Sequence, residues 1–142
     1  MQLKVLSPTS CPYRVVGVMK GGKCEAEDFI VSGEESTRAS REALATLIET
    51  IAQEGLGNLP SSLCHEVDKK NGIYELIKGR LRLFFFKGAN GDVAVCTAGV
   101  MKKAQKADKA AVAKAVRLKI EYLAASKSRT IEYICEEDQD EQ

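Results

Sequence analysis

The sequence predicts an α+β fold made of an N-terminal strand, two helices, a three-stranded antiparallel meander and a C-terminal helix. Three observations carry this reading. Apolar residues recur at helical spacing in 40–54 and again in 110–125. Between these stretches, Gly72 to Ala98 reads as three apolar runs separated only by glycine-containing turns. Ahead of both lies Tyr13 to Met19, a run rich in β-branched residues that stops at Gly21-Gly22. With 142 residues, 44% of them apolar, the chain has enough material for one domain with its own core.

Met1 to Pro12 carries Pro8 and Pro12 and little pattern, so it reads either as an irregular arm or as a peripheral strand through Leu3, Val5 and Leu6. Tyr13 to Met19 is the first clear strand. The segment CEAEDFIVS has acids at its start and apolar residues at its end, which predicts a short helix closed near Gly33. From Thr37 or Ser40 to Glu54, residues Ala43, Leu44, Leu47, Ile48 and Ile51 follow i, i+3, i+4 spacing, and Gly55 and Gly57 stop the run. Leu59 to Asn71 reads as a loop.

The meander follows, as Gly72 to Ile77, Arg80 to Lys87 and Asp92 to Ala98. The first two strands are joined at Lys78-Gly79, and the last two across Gly88-Ala89-Asn90-Gly91, whose Asn-Gly pair favours a tight hairpin turn. In the last helix, Ala110 to Ala125, the residues Val112, Val116, Ile120 and Leu123 form one stripe, with Lys109, Lys114, Arg117 and Lys119 around the others. SRTIEYIC fits a strand or a helical turn equally well.

A net charge of +1 conceals an uneven distribution. Five acids fall in the last seven residues, which leaves the first 135 with 21 basic side chains against 15 acidic ones, a net of +6. Residues 102–119 carry seven basic side chains against Asp108 alone. Alternation along the second meander strand puts Leu81, Leu83 and Phe85 on one face and Arg80, Arg82, Phe84 and Phe86 on the other. The first set suits packing on the long helices. Phe84 and Phe86 either seat the C-terminal helix or another chain, or they stand beside the arginines in a binding face. With Lys102 and Lys103 just past the next strand, the sheet gathers several fixed cations, the pattern of an anion site and of a nucleic-acid site.

Five scattered cysteines, with no CxxC and no histidine at metal spacing, predict reduced thiols in the cytoplasm and no metal. Cys64 adjoins His65, the only histidine, but neighbouring side chains on a strand or loop point apart. No apolar run is long enough to span a bilayer, and no lipidation motif is present.

The order of elements, together with a set of local runs, resembles the RelE/ParE superfamily of bacterial toxins, and within it the HigB-like, phage-derived branch. The runs are Gly72-Ile73-Tyr74-Glu75-Leu76, Leu81-Arg82-Leu83-Phe84-Phe85, Asp92-Val93-Ala94-Val95, Gly99-Val100-Met101-Lys102-Lys103-Ala104-Gln105-Lys106-Ala107, and Ala115 to Tyr122. The resemblance implies a RelE-like fold over residues 13–125, flanked by an N-terminal arm at 1–12 and an extension with an acidic tail at 126–142. It also implies the toxin of a type II toxin-antitoxin system, a metal-independent endoribonuclease that cuts mRNA on the ribosome and inhibits translation. Its partners would be a cognate antitoxin, mRNA and the ribosome, with dimerisation left open and no membrane or cofactor.

Cleavage of this kind has a 2′-hydroxyl attack the adjacent phosphate, which calls for a base, an acid and cations for the charge gathering on phosphorus. Arg82 matches the family's strand arginine and is expected at the scissile phosphate, with Arg80 and His65 as the other catalytic candidates. His65 is the candidate for proton transfer. Lys102 and Lys103 match the Lys-Lys pair and, with Lys78 and Lys106, are expected to hold the RNA backbone. Two positions depart from the branch: Ile77 then Lys78 stand where it has an arginine after Glu-Leu, and Ala98-Gly99-Val100 stands where it has His-Gly-Phe. The alternatives are therefore a ParE-type toxin that binds gyrase, or a non-catalytic toxin-fold interaction protein of phage or prophage origin. The acidic tail is either a solubilising end or a competitor of RNA for the cationic face.

Overall fold

A computed structural model describes residues 1–103 and 108–135. Its framework is a mixed sheet of eight strands: β1 (Gln2–Val5), β2 (Arg14–Lys20), β3 (Lys23–Cys24), β4 (Cys64–Asp68), β5 (Ile73–Lys78), β6 (Leu81–Phe86), β7 (Asp92–Met101) and β8 (Glu132–Ile134). The strand order is β4-β5-β6-β7-β2-β1-β8, with β3 paired to β2. Helices α1 (Glu25–Val31) and α2 (Arg38–Glu54) cover one face, and α3 (Lys109–Ser128) covers the other.

The expected meander is present as β5-β6-β7, all antiparallel, but it is only the middle of a larger sheet. β2 joins β7 in parallel, the pairing that a strand reaches after a helical crossover. β1, from the 1–12 arm, pairs with β2, and β8, from the C-terminal extension, lies parallel to β1. The loop expected at Leu59 to Asn71 is corrected by β4, which pairs with β5. Cys64–Asp68 has weak strand propensity, so the edge of β5 supplies the ordering that its sequence lacks.

Face alternation holds along β6. Leu81, Leu83 and Phe85 join Leu44, Leu47, Ile48 and Ile51 of α2 in one core, while Phe84 and Phe86 pack with Ala111, Ala115, Leu118 and Tyr122 of α3 in the other. The two phenylalanines on the arginine face thus seat the C-terminal helix. Phe84, Phe85 and Phe86 are fully buried, each worth about 2–3 kcal/mol of transfer free energy. On the α1 side the fit is tight: a Cβ at Gly99 would lie 2.1 Å from Cδ2 of Phe29.

On α3 the stripe divides: Val112 and Val116 are partly buried against the core and Ile120 and Leu123 are exposed, while the buried face is Ala111, Ala115, Leu118, Tyr122 and Ala125. Small alanines bring the helix axis close to a sheet already filled by phenylalanines, whereas a β-branched stripe would hold it off. Asp108 caps the helix by accepting from the Ala111 amide at 3.0 Å, and Arg129 ends it in the left-handed conformation (φ 58°). At the far end of β7, Asn90 and Gly91 both take positive φ, as the predicted tight turn requires.

Beside that turn lies a buried carboxylate that ties the distant elements together. Asp92 accepts from Nε of Arg14 (2.5 Å), the hydroxyl of Tyr122 (2.7 Å) and the hydroxyl of Tyr133 (2.6 Å). Arg14 also donates to the carbonyl of Asn90 at 2.9 Å and stacks 4.2 Å over the Tyr133 ring. Burial lowers the affinity of the Arg14 guanidinium for its proton, but the hydrogen bond and charge of Asp92 outweigh this and raise it overall. Burial pushes both tyrosine hydroxyls up, and Asp92 pushes them further.

Asp92→Ala leaves Arg14, Tyr122 and Tyr133 without their acceptor, so urea unfolding should show a loss of about 3 kcal/mol. Tyr122→Phe, which removes one hydrogen bond, should cost about 1 kcal/mol. Because the folded tyrosines hold their protons above the ordinary value of about 10, their contribution is complete below that pH and is lost as pH rises above it. Urea midpoints measured from pH 9 upward should fall less steeply for Tyr122→Phe than for the native chain.

Candidate nucleic-acid interface

The end of the sheet opposite Asp92 is formed by the β5-β6 turn, the last residues of β7 and the start of β4. Register brings the predicted groups there. Arg82 stands opposite Ile77 on β5 and Val100 on β7, and Lys78 stands opposite Leu81. Past the strand ends, the Lys102 amide donates to the carbonyl of Arg80 at 2.6 Å, and Arg80 Nη2 donates to the carbonyl of Lys102 at 3.3 Å. Arg80, Arg82 and Lys102 are thereby held together by backbone pairing, with Lys103 exposed alongside.

Arg82 is the most constrained of these cations. Its Nη1 donates to the carbonyls of Gly79 (2.8 Å) and Leu81 (2.9 Å), and its side chain is only 12% exposed. Nε lies 3.9 Å from Oε1 of Glu75, an ion pair too long to be a hydrogen bond. Nε is buried and has no hydrogen-bond partner among the described residues. A buried donor left unpaired carries a desolvation cost of about 1–3 kcal/mol, which an incoming oxygen acceptor would relieve.

His65 stands opposite Glu75 across β4 and β5, and Glu75 stands opposite Phe84. Cross-strand partners share a face, so His65, Glu75 and Arg82 all lie on the α3 side, with His65 exposed and two strand spacings, about 10 Å, from β6. Lys78 does not join them, because its partner Leu81 belongs to the α2 face. Lys106 lies outside the described residues. Cys64 belongs to the α2 core, and burial pushes its thiol up, so Cys64 and His65 form no nucleophile pair. Glu75 received no role from the sequence, although the Glu-Leu run was visible. The missing signal was the pairing of β4 with β5, which is what brings Glu75 between Arg82 and His65.

The two departures also acquire positions. Ile77 stands directly beside Arg82, so an apolar side chain occupies the place next to the guanidinium. Ala98 is buried, 6% exposed, where the β6-β7 register shifts opposite Phe84. Among the described residues no cluster of His, Cys, Asp and Glu could hold a metal ion, and no helix is long and apolar enough to cross a membrane.

A single mixed sheet, covered by helices on both faces and carrying fixed cations at one end, defines a small α+β protein. Residues 34–119 match the family described as Phage derived protein Gp49-like (DUF891). The chain belongs to this Gp49-like, phage-derived family, a toxin-like family within the RelE/ParE-like toxin superfamily. No curated relative matches the chain. The matched segment opens just before α2 and closes within α3, so it contains every candidate site residue but not β1, β2, α1 or β8.

The Glu75 and Arg82 side chains are both largely hidden from water, so their coupling should be measurable by a double-mutant cycle. Glu75→Gln should cost about 1 kcal/mol in urea unfolding when Arg82 is present. In an Arg82→Met background the same change should be neutral or stabilising, because Glu75 is then a buried carboxylate without a counter-charge.

Proposed function

We propose that this chain is the toxin of a type II toxin-antitoxin system, close to the HigB-like branch, and that it acts on mRNA at the ribosome through the cationic sheet end. The observation that carries this reading is Arg82, a guanidinium fixed through Nη1 to two carbonyls with its buried Nε unpaired among the described residues. A planar fork held this way suits a phosphate oxygen and needs little rearrangement when charge builds on phosphorus. Arg80, Lys102 and Lys103 extend the positive surface along the path of an RNA backbone.

In the cleavage step, a base takes the proton of the 2′-hydroxyl and that oxygen bonds to phosphorus. The bond to the 5′-oxygen breaks, giving a 2′,3′-cyclic phosphate, and the leaving oxygen takes up a proton. Glu75 holds Arg82 through its charge, and His65 on the same face is the group suited to proton transfer near neutral pH. A second reading draws on Ile77 and Ala98. With an apolar neighbour beside Arg82 and no titratable atom at Ala98, the same face would bind RNA or a protein target such as gyrase without cutting.

Inducing the chain in a bacterial host, following growth and mapping 5′ ends of cellular RNA separates these readings. Cuts within translated codons are expected, and Arg82→Ala should reduce them by about 10²–10³-fold. Inhibition with intact mRNA and damaged DNA would instead select gyrase. Binding to single-stranded RNA should weaken with salt at a log–log slope of about −2 for three phosphate contacts, and Arg82→Ala should lower that slope by about 0.7.

A further inference from the structure

Along one line of α3, Val112 and Val116 are partly buried against the core, and Ile120 and Leu123 continue that line onto exposed surface. Ile120 is 64% exposed and Leu123 49% exposed, an unusual pair on a helix whose other face already carries the core contacts. Toward the N-terminal half of α3 the stripe runs into an open groove of about 760 Å³ between the helix and the β4-β5 turn, with Val67, Val112 and Val116 in its walls. Lys69, Lys109 and Arg117 flank the groove. Its one acid, Asp68, is engaged by its neighbour Asn71, accepting from the amide and the side-chain nitrogen at 3.1 and 2.8 Å.

The geometry points to this surface as the docking site for an acidic amphipathic helix of a separate protein, its apolar residues on the α3 stripe and its carboxylates against Lys69, Lys109 and Arg117. Helix-in-groove recognition needs apolar anchors at helical spacing with complementary charge at the rim, and both are present. RNA fits less well: Lys69, Lys109 and Arg117 could meet phosphates, but the groove holds no aromatic ring on which a base could stack. The chain's own acids fit poorly too. They follow β8, six strand spacings or about 29 Å across the sheet from β4, whereas seven extended residues reach about 25 Å at most. Moreover, 136–142 contains no apolar side chain to fill the groove. The assignment rests on the α3 surface alone and stands whether or not Arg82 serves RNA cleavage.

The test uses the full chain and a fluorescent designed peptide of about five helical turns, with leucines along one face and glutamates on either side. A counterpart with lysine in place of glutamate is the control. The acidic peptide should bind saturably and the basic one should not. Ile120→Glu and Leu123→Glu, both at exposed positions, should each weaken binding at least about tenfold while leaving the urea midpoint unchanged. Lys109→Glu with Arg117→Glu should reverse the preference and admit the basic peptide. Growth inhibition and RNA cleavage by Ile120→Glu alone should stay at the native level, which keeps this result separate from that of Arg82→Ala. Three outcomes would overturn the proposal: peptide binding indifferent to these variants, displacement of the peptide by a single-stranded RNA that itself depends on Ile120 and Leu123, or a native dimer that Ile120→Glu converts to monomer.

Discussion

Burying the carboxylate of Asp92 is the constraint on which the arrangement of the remaining elements depends. A carboxylate removed from water must be matched by donors, and here they come from β2, α3 and β8. Each donor belongs to an element far away in sequence, so satisfying this one group fixes the parallel join of β2 to β7, the path of α3 over the sheet and the return of the chain to β8. Removing the carboxylate leaves all three donors without their shared acceptor, and the network therefore acts as a unit.

This anchor and the cationic end lie at opposite ends of β7, ten residues apart. One end is closed by buried pairing, while the other keeps guanidinium and ammonium groups near water. The bulge between them, where Thr97 donates to the carbonyl of Phe84 at 3.2 Å, changes the register of β7 and so sets which residue meets Arg82. Val100, not Gly99, is the neighbour of Arg82 as a result. A rigid, well-packed middle with the polar chemistry displaced to one rim lets side chains at that rim vary without loss of the fold.

The sequence was most readable where periodicity and turn chemistry agreed. The alternation of Leu81, Leu83 and Phe85 against Phe84 and Phe86, the Asn90-Gly91 turn and the helix through Leu44 to Ile51 are local consequences of residue type. β4 was not readable, because a strand with one β-branched residue is held by its neighbour. The buried face of α3 was not readable for a related reason: Val112, Val116, Ile120 and Leu123 form the conspicuous stripe, yet close approach to a crowded sheet favours the alanines beside it. Arg82, Arg80, Lys102 and His65 could be named as candidates, but Lys78 falls on the other face and Glu75 was passed over.

By itself, then, the sequence determined the class of fold, the alternating faces of the central hairpin and the types of charged group available, since these follow from interactions between residues close along the chain. Tertiary structure alone decided that the meander widens into an eight-stranded sheet, that Glu75 stands between His65 and Arg82, and that Ile120 and Leu123 of α3 face outward. Those features depend on pairings between distant segments and on which of two apolar helix faces packs more closely. Competition of that kind is settled only when the whole chain is folded.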